Sequence, residues 1–527
     1  MSPRARRARR EQARTAGRRG EPAPAAGLEA WVANSSGVLA GALLIFALGL
    51  RAYYFALTKD QPLWWDEAEY MLKAKAMALG TPDTGWWTAR PVLLSLLAAA
   101  VFKVGLGETA IRLLWVVLST ATLALVYGLG TRLFNARVGI CALALATVSY
   151  IDVFYTMRLL VDGPPQVFFG TLAIFLMVWG IATPRRWAIW AVFPALALGV
   201  GLRFTAAILI PVVVAFLLAT RGLKVLKERA WHVSVGLAAL MALAMLLYFW
   251  RQYGDPIAPF FSHMVLRGGL SSGGGILSLP TEIAMQYVRY FPEYTTPLVT
   301  VAFAAGLVQA IVVLARGFGR RRDDRAVQGS LLVLLWIVVP FLFYGFAVNT
   351  FQDRFLTVIF SAVFIVIGVA LDGLFTLMRP WSPALAAVVV AAIVLYGGGE
   401  MTRRTDAIVR GKIPSYQGVA EAGRWIRTHG RPGVAVLSSS VPQITYYAER
   451  PTFTLPAEER QLDEVLAARA PGYLVISAWE PSPAWVYEWP RRNPDKVSVA
   501  ATFHADAERT QLSAVVYAFR APAGRPR

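Results

Sequence analysis

The chain has 527 residues, of which 56% are apolar and only 16% are charged, and its mean hydropathy is +0.50. This composition excludes an ordinary set of soluble domains and predicts a polytopic α-helical membrane protein. The net charge is +20, and the charges are unevenly placed, with eight arginines among the first nineteen residues. Such an arm suits either a nucleic acid or an anionic lipid surface. Because the rest of the chain is so apolar, we interpret residues 1–35 as a cytoplasmic arm facing membrane lipids, and we predict no nucleic-acid partner.

Apolar runs of about twenty residues, long enough to cross a ~30 Å hydrocarbon core, predict about eleven spans. They lie near residues 36–57, 109–130, 138–156, 166–182, 187–201, 204–220, 233–250, 297–315, 329–348, 355–378 and 383–398. The first run follows a basic segment, as in a signal peptide, but it is long and no cleavage site follows, so we expect it to stay as a span. The segment 91–106 is shorter and contains Lys103. We predict that it is re-entrant or interfacial, with a twelfth span as the alternative.

The distribution of basic residues predicts the orientation. With the N-terminus in the cytoplasm, the short inside loops hold most of the loop Lys and Arg residues, as the positive-inside rule requires. Asp66 then lies in the first external loop, and everything after about residue 400 is external as well. Arginine far outnumbers lysine, which is typical of a GC-rich bacterial genome, so we place the protein in a bacterial plasma membrane.

The tail from residue 399 to 527 changes character. "GVAVLSSS", "GYLVISA", "KVSVAATF" and "LSAVVYAF" have strand-like composition, whereas "SYQGVAEAGRWIRTH" and "EERQLDEVLAARA" have helical spacing. We therefore predict three parts: the arm 1–35, a transmembrane region 36–398 and a soluble α/β domain 399–527 on the outer face. A glycine-rich external loop, 251–296, ends in a predicted surface helix and is long enough to form a lid over a site.

The stretch "LWWDEAEYMLKAKAMALG", residues 63–80, puts three carboxylates directly after the first span. In a helix, four of its polar residues share one face: Asp66, Glu69, Tyr70 and Lys73. Glu69 and Lys73 are then expected to pair. Two interpretations of Asp66 stay open at this point: an acid that caps an interfacial helix beside membrane-belt tryptophans, or a functional carboxylate.

Further charges stand at other outer edges of the membrane region. They include Arg158 and Asp162 in the second external loop, Asp353 and Arg354 before the tenth span, Arg203, and Arg251, Arg267 and Arg289 in the long loop. Singly, each suits a snorkelling anchor or a structural ion pair. Their convergence on one side of the bilayer favours a functional site.

Carboxylates and arginines at the outer face suit the transfer of a sugar from a polyprenyl-phosphate carrier. A guanidinium or a metal ion stabilises the leaving phosphate, and a carboxylate takes the proton of the attacking hydroxyl. The chain has neither a Walker A loop nor a Rossmann glycine pattern in context, its four histidines lack metal-ligand spacing, and its single cysteine, Cys141, excludes an intramolecular disulfide.

Residues 65–220 resemble the GT-C superfamily of membrane glycosyltransferases, specifically the protein O-mannosyltransferase and lipid A aminoarabinose transferase group (glycosyltransferase families 39 and 83). The resemblance is carried by "DEAEY", by "GETAIRLL" followed by "YGLGTRLFNARVG", and by "TMRLLVDGPP"; "DRF" and the tail match more loosely. The segment "ARPVLLSLL" departs from the family pattern, which has a double proline there, so acceptor contacts in that segment do not carry over.

The resemblance implies an inverting transferase, for a hexosyl or pentosyl donor, with Asp66 as general base. It implies that Glu67 shapes the site, that Asp162 contacts the substrate or a divalent cation, that Arg354 meets the carrier phosphate, and that loop 251–296 is a lid. The predicted substrate-binding set is Glu67, Tyr70, Lys73, Arg158, Asp162, Arg267 and Arg354. Asp66 and Asp162 could share a divalent metal ion or bind hydroxyls directly, and no other cofactor is predicted.

The expected partners are a polyprenyl-phosphate-linked sugar and a lipid, glycan or protein acceptor. Two alternatives stay open: a transporter or lipid-handling scaffold whose outer charges line a translocation site, and an inactive relative that acts as an assembly partner through its tail. Secondary transporters often show inverted repeats, and no repeat is visible in this sequence.

Overall fold

The computed structural model describes residues 28–268, 282–348, 350–506 and 508–520. At residues 28–34 and 264–268 it describes the backbone alone. Most of the predicted N-terminal arm, the glycine-rich centre of the 251–296 loop and the side chain of Arg267 therefore lie outside the described part.

Apolar helices make up the N-terminal three quarters of the chain. They are α1 (Leu28–Thr58), α2 (Trp65–Leu79), α3 (Leu93–Lys103), α4 (Glu108–Leu133), α5 (Ala136–Thr147), α6 (Tyr150–Thr156), α7 (Pro164–Ala182), α8 (Arg186–Trp190), α9 (Val192–Leu202), α10 (Leu209–Arg221), α11 (Arg229–Tyr253), α12 (Ala258–Gly268), α13 (Glu282–Thr295), α14 (Pro297–Gly317), α15 (Arg325–Phe346), α16 (Phe360–Met378) and α17 (Pro383–Lys412). Short 3₁₀ turns cover Phe204–Ile208, Gly222–Lys227, Phe318–Arg320 and Asp353–Ile359.

Nine helices among the described residues are long and apolar enough to cross a membrane, and each coincides with a predicted span. The predicted span 138–156 is a bent pair, α5 and α6, with 54° between its two halves. The predicted span 187–201 corresponds to the shorter helices α8 and α9, and 91–106 contains only the eleven-residue helix α3. The polytopic helical architecture is confirmed.

The spans differ in how deeply they are enclosed. In Asp353–Met378, which includes α16, 78% of the most apolar window is buried, whereas in α11 the share is only 11%. The first is therefore central, and α11 lies at the periphery. Helices α4 and α5 approach closely through two glycines: a methyl group at Gly130 would come within 2.9 Å of the Cα of Gly139. Small residues permit this packing between membrane helices.

The C-terminal part is an α/β domain, as predicted. Its elements are α18 (Gln417–His429), β1 (Val436–Ser438), α19 (Val441–Ala448), β2 (Thr452–Phe453), α20 (Leu462–Arg469), β3 (Tyr473–Ser477), α21 (Ala484–Arg492), β4 (Val497–His504) and β5 (Leu512–Phe519), with a 3₁₀ turn at Glu459–Gln461. The strand order is β2-β1-β3-β5-β4. Strands β1, β2 and β3 are parallel, and β5 runs antiparallel to both β3 and β4. The predicted boundary at residue 399 falls inside α17, which continues to Lys412.

Helix α2 lies between the membrane region and this domain. The hydroxyl of Tyr447 on α19 accepts a hydrogen bond of 2.8 Å from the amide of Leu63, just before α2. On α2, Lys75 contacts Glu449 at 3.0 Å. Gly85, with φ of +94°, packs so tightly on α19 that a Cβ atom would lie 2.9 Å from the Cγ1 of Val441. Only glycine adopts this conformation readily. These contacts hold α2 and its flanking segments against the C-terminal domain.

Candidate active site

Helix α2 begins at Trp65, and the Glu67 side chain caps its N-terminus. The Glu67 carboxylate accepts hydrogen bonds from the amide of Trp64 (2.7 Å), from the Arg158 guanidinium (2.8 and 2.6 Å) and from the amide of Leu159 (2.8 Å). Burial lowers the pKa of Arg158 to about 10 against the opposing effect of Glu67, so the guanidinium stays charged at neutral pH. Glu67 is fully buried, and this pair anchors α2 to the loop after α6.

The carboxylate of Asp66 is held by two arginines from distant parts of the chain. Arg90 donates to Oδ1 at 2.5 Å, and Arg354 donates to Oδ2 at 2.6 Å. The Asp66 side chain keeps 13% of its surface exposed, so it stays accessible at the edge of the cluster. The helix-cap interpretation of Asp66 is therefore not supported, because Glu67 makes the backbone contact expected of a capping acid.

Arg90 also pairs with Glu69, which in addition accepts a 2.7 Å hydrogen bond from the Trp65 indole. Burial raises the pKa of Glu69, and Arg90 opposes that rise. Burial acts to lower the pKa of Arg90, but Asp66 and Glu69 raise it above its usual value. The Nη1 atom of Arg90 is buried and has no hydrogen-bond partner within the described residues. A buried donor of this kind suits an anionic ligand.

Arg354 links Asp66 to the second acid of the site, Asp162. The Nε atom of Arg354 lies 3.2 Å from Oδ2 of Asp162, and Arg203 pairs with Oδ1 of the same carboxylate. Asp162 and Arg203 are almost fully buried, whereas the Arg354 side chain is 15% exposed. The amide oxygen of Gln352 accepts from Arg354 at 2.8 Å and orients it. The structure therefore brings together Asp66, Asp162 and Arg354.

The charged cluster contains three carboxylates and three guanidinium groups, so its formal charges balance. Its members are Asp66, Glu69, Asp162, Arg90, Arg203 and Arg354. Its arrangement does not suit a divalent ion shared by Asp66 and Asp162, because the Arg354 guanidinium lies between the two carboxylates. No group of three or more metal-ligating side chains occurs in the described ranges. The cation beside both acids is an arginine.

Comparison with known proteins shows which fold this architecture resembles. A family model described as dolichyl-phosphate-mannose-protein mannosyltransferase matches residues 89–249. The solved structure of ArnT from Cupriavidus metallidurans in the apo state is similar, with a TM-score of 0.63 and 13% identity over 90% of this chain and 98% of that one. The same protein bound to undecaprenyl phosphate gives 0.61 and 13% over 93% and 98%. The chain has the GT-C fold.

A second solved GT-C structure is also similar. It is the oligosaccharyltransferase of Archaeoglobus fulgidus tethered to an acceptor peptide containing the NVT sequon, with a TM-score of 0.60 and 13% identity over 85% of this chain and 70% of that one. Among curated proteins, none matches this chain by sequence.

An apolar groove runs beside the charged cluster. Its volume is about 750 Å³, and its walls come from α3, α9, α10 and the peripheral helix α11. Val92 and Gly201 line the groove, and each stands two residues from an arginine of the cluster, Arg90 and Arg203 respectively. An apolar cavity whose lining stands this close to guanidinium groups suits an amphiphile with an anionic head.

The remaining predicted site residues lie at different places in the GT-C fold. Tyr70 is buried against the cluster, with its ring centre 5.2 Å from Cζ of Arg90. The predicted pair between Glu69 and Lys73 is wrong: Lys73 contacts Asp83 at 2.7 Å, because the stronger guanidinium partner of Glu69 comes from outside the helix. Lys73 lines a cleft that shares Leu96 and Tyr248 with the apolar groove.

Two other predicted substrate contacts pair with each other: Glu67 and Arg158 form a buried ion pair. Arg267 lies in α12, but its side chain is outside the description. Arg251 and Arg289 are solvent-exposed.

The most important residue that sequence reasoning missed is Arg90. Its signal was an arginine directly before a proline and a short apolar segment on the outer side, in the stretch "ARPVLLSLL". An arginine is fully buried only when it is paired, so one at the start of an apolar helix points to a carboxylate nearby. Which carboxylate it meets depends on the packing of α2 against α3, which spacing alone does not give.

Proposed function

We propose that this protein is an inverting glycosyltransferase that moves a sugar from a polyprenyl-phosphate carrier to an acceptor hydroxyl at the outer face of a bacterial plasma membrane. The observation that carries the proposal is the apolar groove beside a cluster in which one arginine, Arg354, contacts both Asp66 and Asp162. The similarity to ArnT bound to undecaprenyl phosphate supports this class of donor.

The carrier binds with its prenyl chain in the groove and its phosphate at the arginines. Each apolar CH₂ that is buried contributes about 0.8 kcal/mol, so a groove this long favours a long chain. Arg354, which is partly exposed, and the unpartnered Nη1 of Arg90 donate to the phosphate oxygens. Asp162, held by Arg203, keeps Arg354 in place.

Phosphate binding competes with Asp66 for Arg354. When Arg354 turns toward the phosphate, the Asp66 carboxylate loses one cationic partner and accepts the proton of an incoming hydroxyl. The hydroxyl oxygen forms a bond to the anomeric carbon as the bond between that carbon and the phosphate oxygen breaks, and the electron pair leaves with the carrier phosphate. One displacement of this kind inverts the anomeric centre.

Binding of undecaprenyl phosphate to the purified full-length protein in lipid nanodiscs tests the proposal. We expect saturable binding by the wild-type protein and binding about 10-fold to 150-fold weaker in Arg354→Met, which loses a charged hydrogen bond of about 1.5–3 kcal/mol. Arg403→Met removes an exposed arginine that pairs with Glu400, and serves as the matched control. No saturable binding, or equal affinity in both variants, would argue for a scaffold or transporter instead.

A further inference from the structure

A second cavity meets the charged cluster, and its lining is aromatic. Its volume is about 630 Å³, within the range of about 300–1,000 Å³ typical of small-molecule sites. The aromatic residues that line it are Trp64, Tyr150, Tyr155, Tyr290, Tyr294 and Phe351. It also reaches Arg354, but it shares no lining residue with the apolar groove. A ligand in this cavity therefore lies beside Arg354, which contacts Asp66, without occupying the apolar groove.

The aromatic rings offer flat surfaces to a ligand. Tyr290 is 49% exposed and packs on Phe351 with 5.2 Å between ring centres, while Trp64 is fixed by the Arg158 guanidinium 3.9 Å above its ring. The electron-rich face of an aromatic ring attracts weakly positive C–H groups. A sugar ring presents such a C–H surface.

The polar atoms of the cavity suit hydroxyl groups. Oδ1 of Asp353 accepts from the Tyr155 hydroxyl and from the amide of Arg354, both at 2.8 Å, whereas Oδ2 accepts no hydrogen bond from any described residue. Tyr150 and Tyr294 stack with 6.1 Å between ring centres, and neither hydroxyl is hydrogen-bonded within the described ranges. These atoms can both donate to and accept from a ligand.

The same atoms disfavour other ligands. Carboxylates of Asp353 and Glu293 line the cavity, so an anionic headgroup is repelled. The one guanidinium that lines it, Arg354, already contacts Asp66 and Asp162. Hydroxyls and carboxylates also make a poor lining for a hydrocarbon chain, because polar groups would be desolvated without partners. A neutral molecule rich in hydroxyls satisfies them.

We propose that this cavity binds the acceptor, and that the acceptor is a neutral carbohydrate chain. The proposal rests on the proposed glycosyl transfer and specifies its second substrate: one sugar packs on Tyr290 and Phe351, and a hydroxyl reaches past Arg354 to Asp66. That hydroxyl gives its proton to Asp66 and forms the new glycosidic bond.

The test uses short mannose, glucose, galactose and arabinose oligosaccharides as probes, with binding measured by saturation-transfer NMR on the full-length protein in nanodiscs. We expect at least one probe to bind. Tyr290→Ala, at a half-exposed position, should weaken it about 3-fold to 10-fold, as expected for loss of one aromatic contact. Trp381→Ala, which removes a 78% exposed tryptophan outside the cavity, is the control and should leave affinity unchanged.

Binding of undecaprenyl phosphate, measured on the same samples, separates the two proposals. If that carrier fails to bind, the proposed function fails and the acceptor role falls with it. If the carrier binds but no oligosaccharide does, or if Tyr290→Ala leaves oligosaccharide affinity unchanged, the carbohydrate assignment alone is overturned. A peptide containing serine and threonine could bind to the wild type and fail to bind to Tyr290→Ala. That result would overturn the carbohydrate assignment in favour of a protein acceptor.

Discussion

Replacing Arg90 by methionine tests whether the charged cluster holds helix α2 in place. Methionine keeps much of the side-chain volume but removes the partner of two buried carboxylates, Asp66 and Glu69. Asp66 then keeps Arg354, whereas Glu69 keeps only the Trp65 indole. Breaking a buried ion pair from one side costs about 3–5 kcal/mol. All three side chains are at most 13% exposed, so solvent screens little of this cost.

The pH dependence gives the prediction a sign. Burial raises the pKa of Glu69 above its unfolded value, and Arg90 is the largest influence that lowers it. Removing Arg90 therefore raises the pKa of Glu69 further. A group whose pKa is higher in the folded state stabilises the fold below its unfolded pKa, and this contribution is lost as pH rises through the folded pKa. The variant should thus be least destabilised near pH 4.5 and most destabilised at neutral pH and above.

Hydrogen–deuterium exchange in residues 65–79, which form α2, measures this local stability. At neutral pH we expect exchange in Arg90→Met to be about 100-fold to 5,000-fold faster than in the wild type, the equivalent of about 3–5 kcal/mol. Arg403→Met should leave α2 unchanged, because Arg403 is an exposed surface residue. An exchange rate in Arg90→Met equal to that of the wild type, or a loss of protection that grows toward low pH, would refute the role of Arg90 in holding α2.

Three other predictions concern the anchor, the groove and the topology. Glu67→Gln should lower stability by about 3–5 kcal/mol by leaving buried Arg158 uncompensated, and an unchanged unfolding temperature would show that this pair is not structural. Ala242→Trp, which fills the apolar groove, should weaken binding of undecaprenyl phosphate at least about 10-fold. Binding of a ten-carbon prenyl phosphate should be nearly unaffected. Equal losses of affinity for both ligands would show that the prenyl chain does not bind in the groove. In a Cys141→Ser background, an exposed Glu464→Cys should react with an impermeant maleimide in intact cells, and failure to react would invert the proposed orientation.

Hydropathy predicted most of the membrane architecture because each span must satisfy its own backbone and present an apolar surface. It did not show the 54° bend after Thr147, since a hydropathy average records composition and not the direction of the backbone. Four of the five strands were predicted; the two-residue strand β2 at Thr452 was not, because so short a strand has no periodicity. The continuation of α17 past residue 399 was missed because its polar end has charged residues that also suit a soluble domain.

The site was predicted less completely than the fold. Asp66, Asp162 and Arg354 were identified as candidates from their position at the outer edge, and the structure brings both acids into contact with Arg354. Arg90 was missed, and Glu67 and Arg158 were placed at the substrate rather than in their own pair. Neighbouring acids on a helix point in different directions, so their partners depend on tertiary packing that no short pattern records.

Transfer from a labelled polyprenyl-phosphate sugar by wild-type protein and by Asp66→Asn tests the central claim most directly. The account predicts that the wild type transfers label from at least one such donor. Asp66→Asn should be about 100-fold to 10,000-fold slower, the contribution of a general base, while undecaprenyl phosphate binding is retained. Turnover by Asp66→Asn at the wild-type rate would contradict the account, as would a wild-type protein that binds the carrier but transfers no sugar from any donor tested.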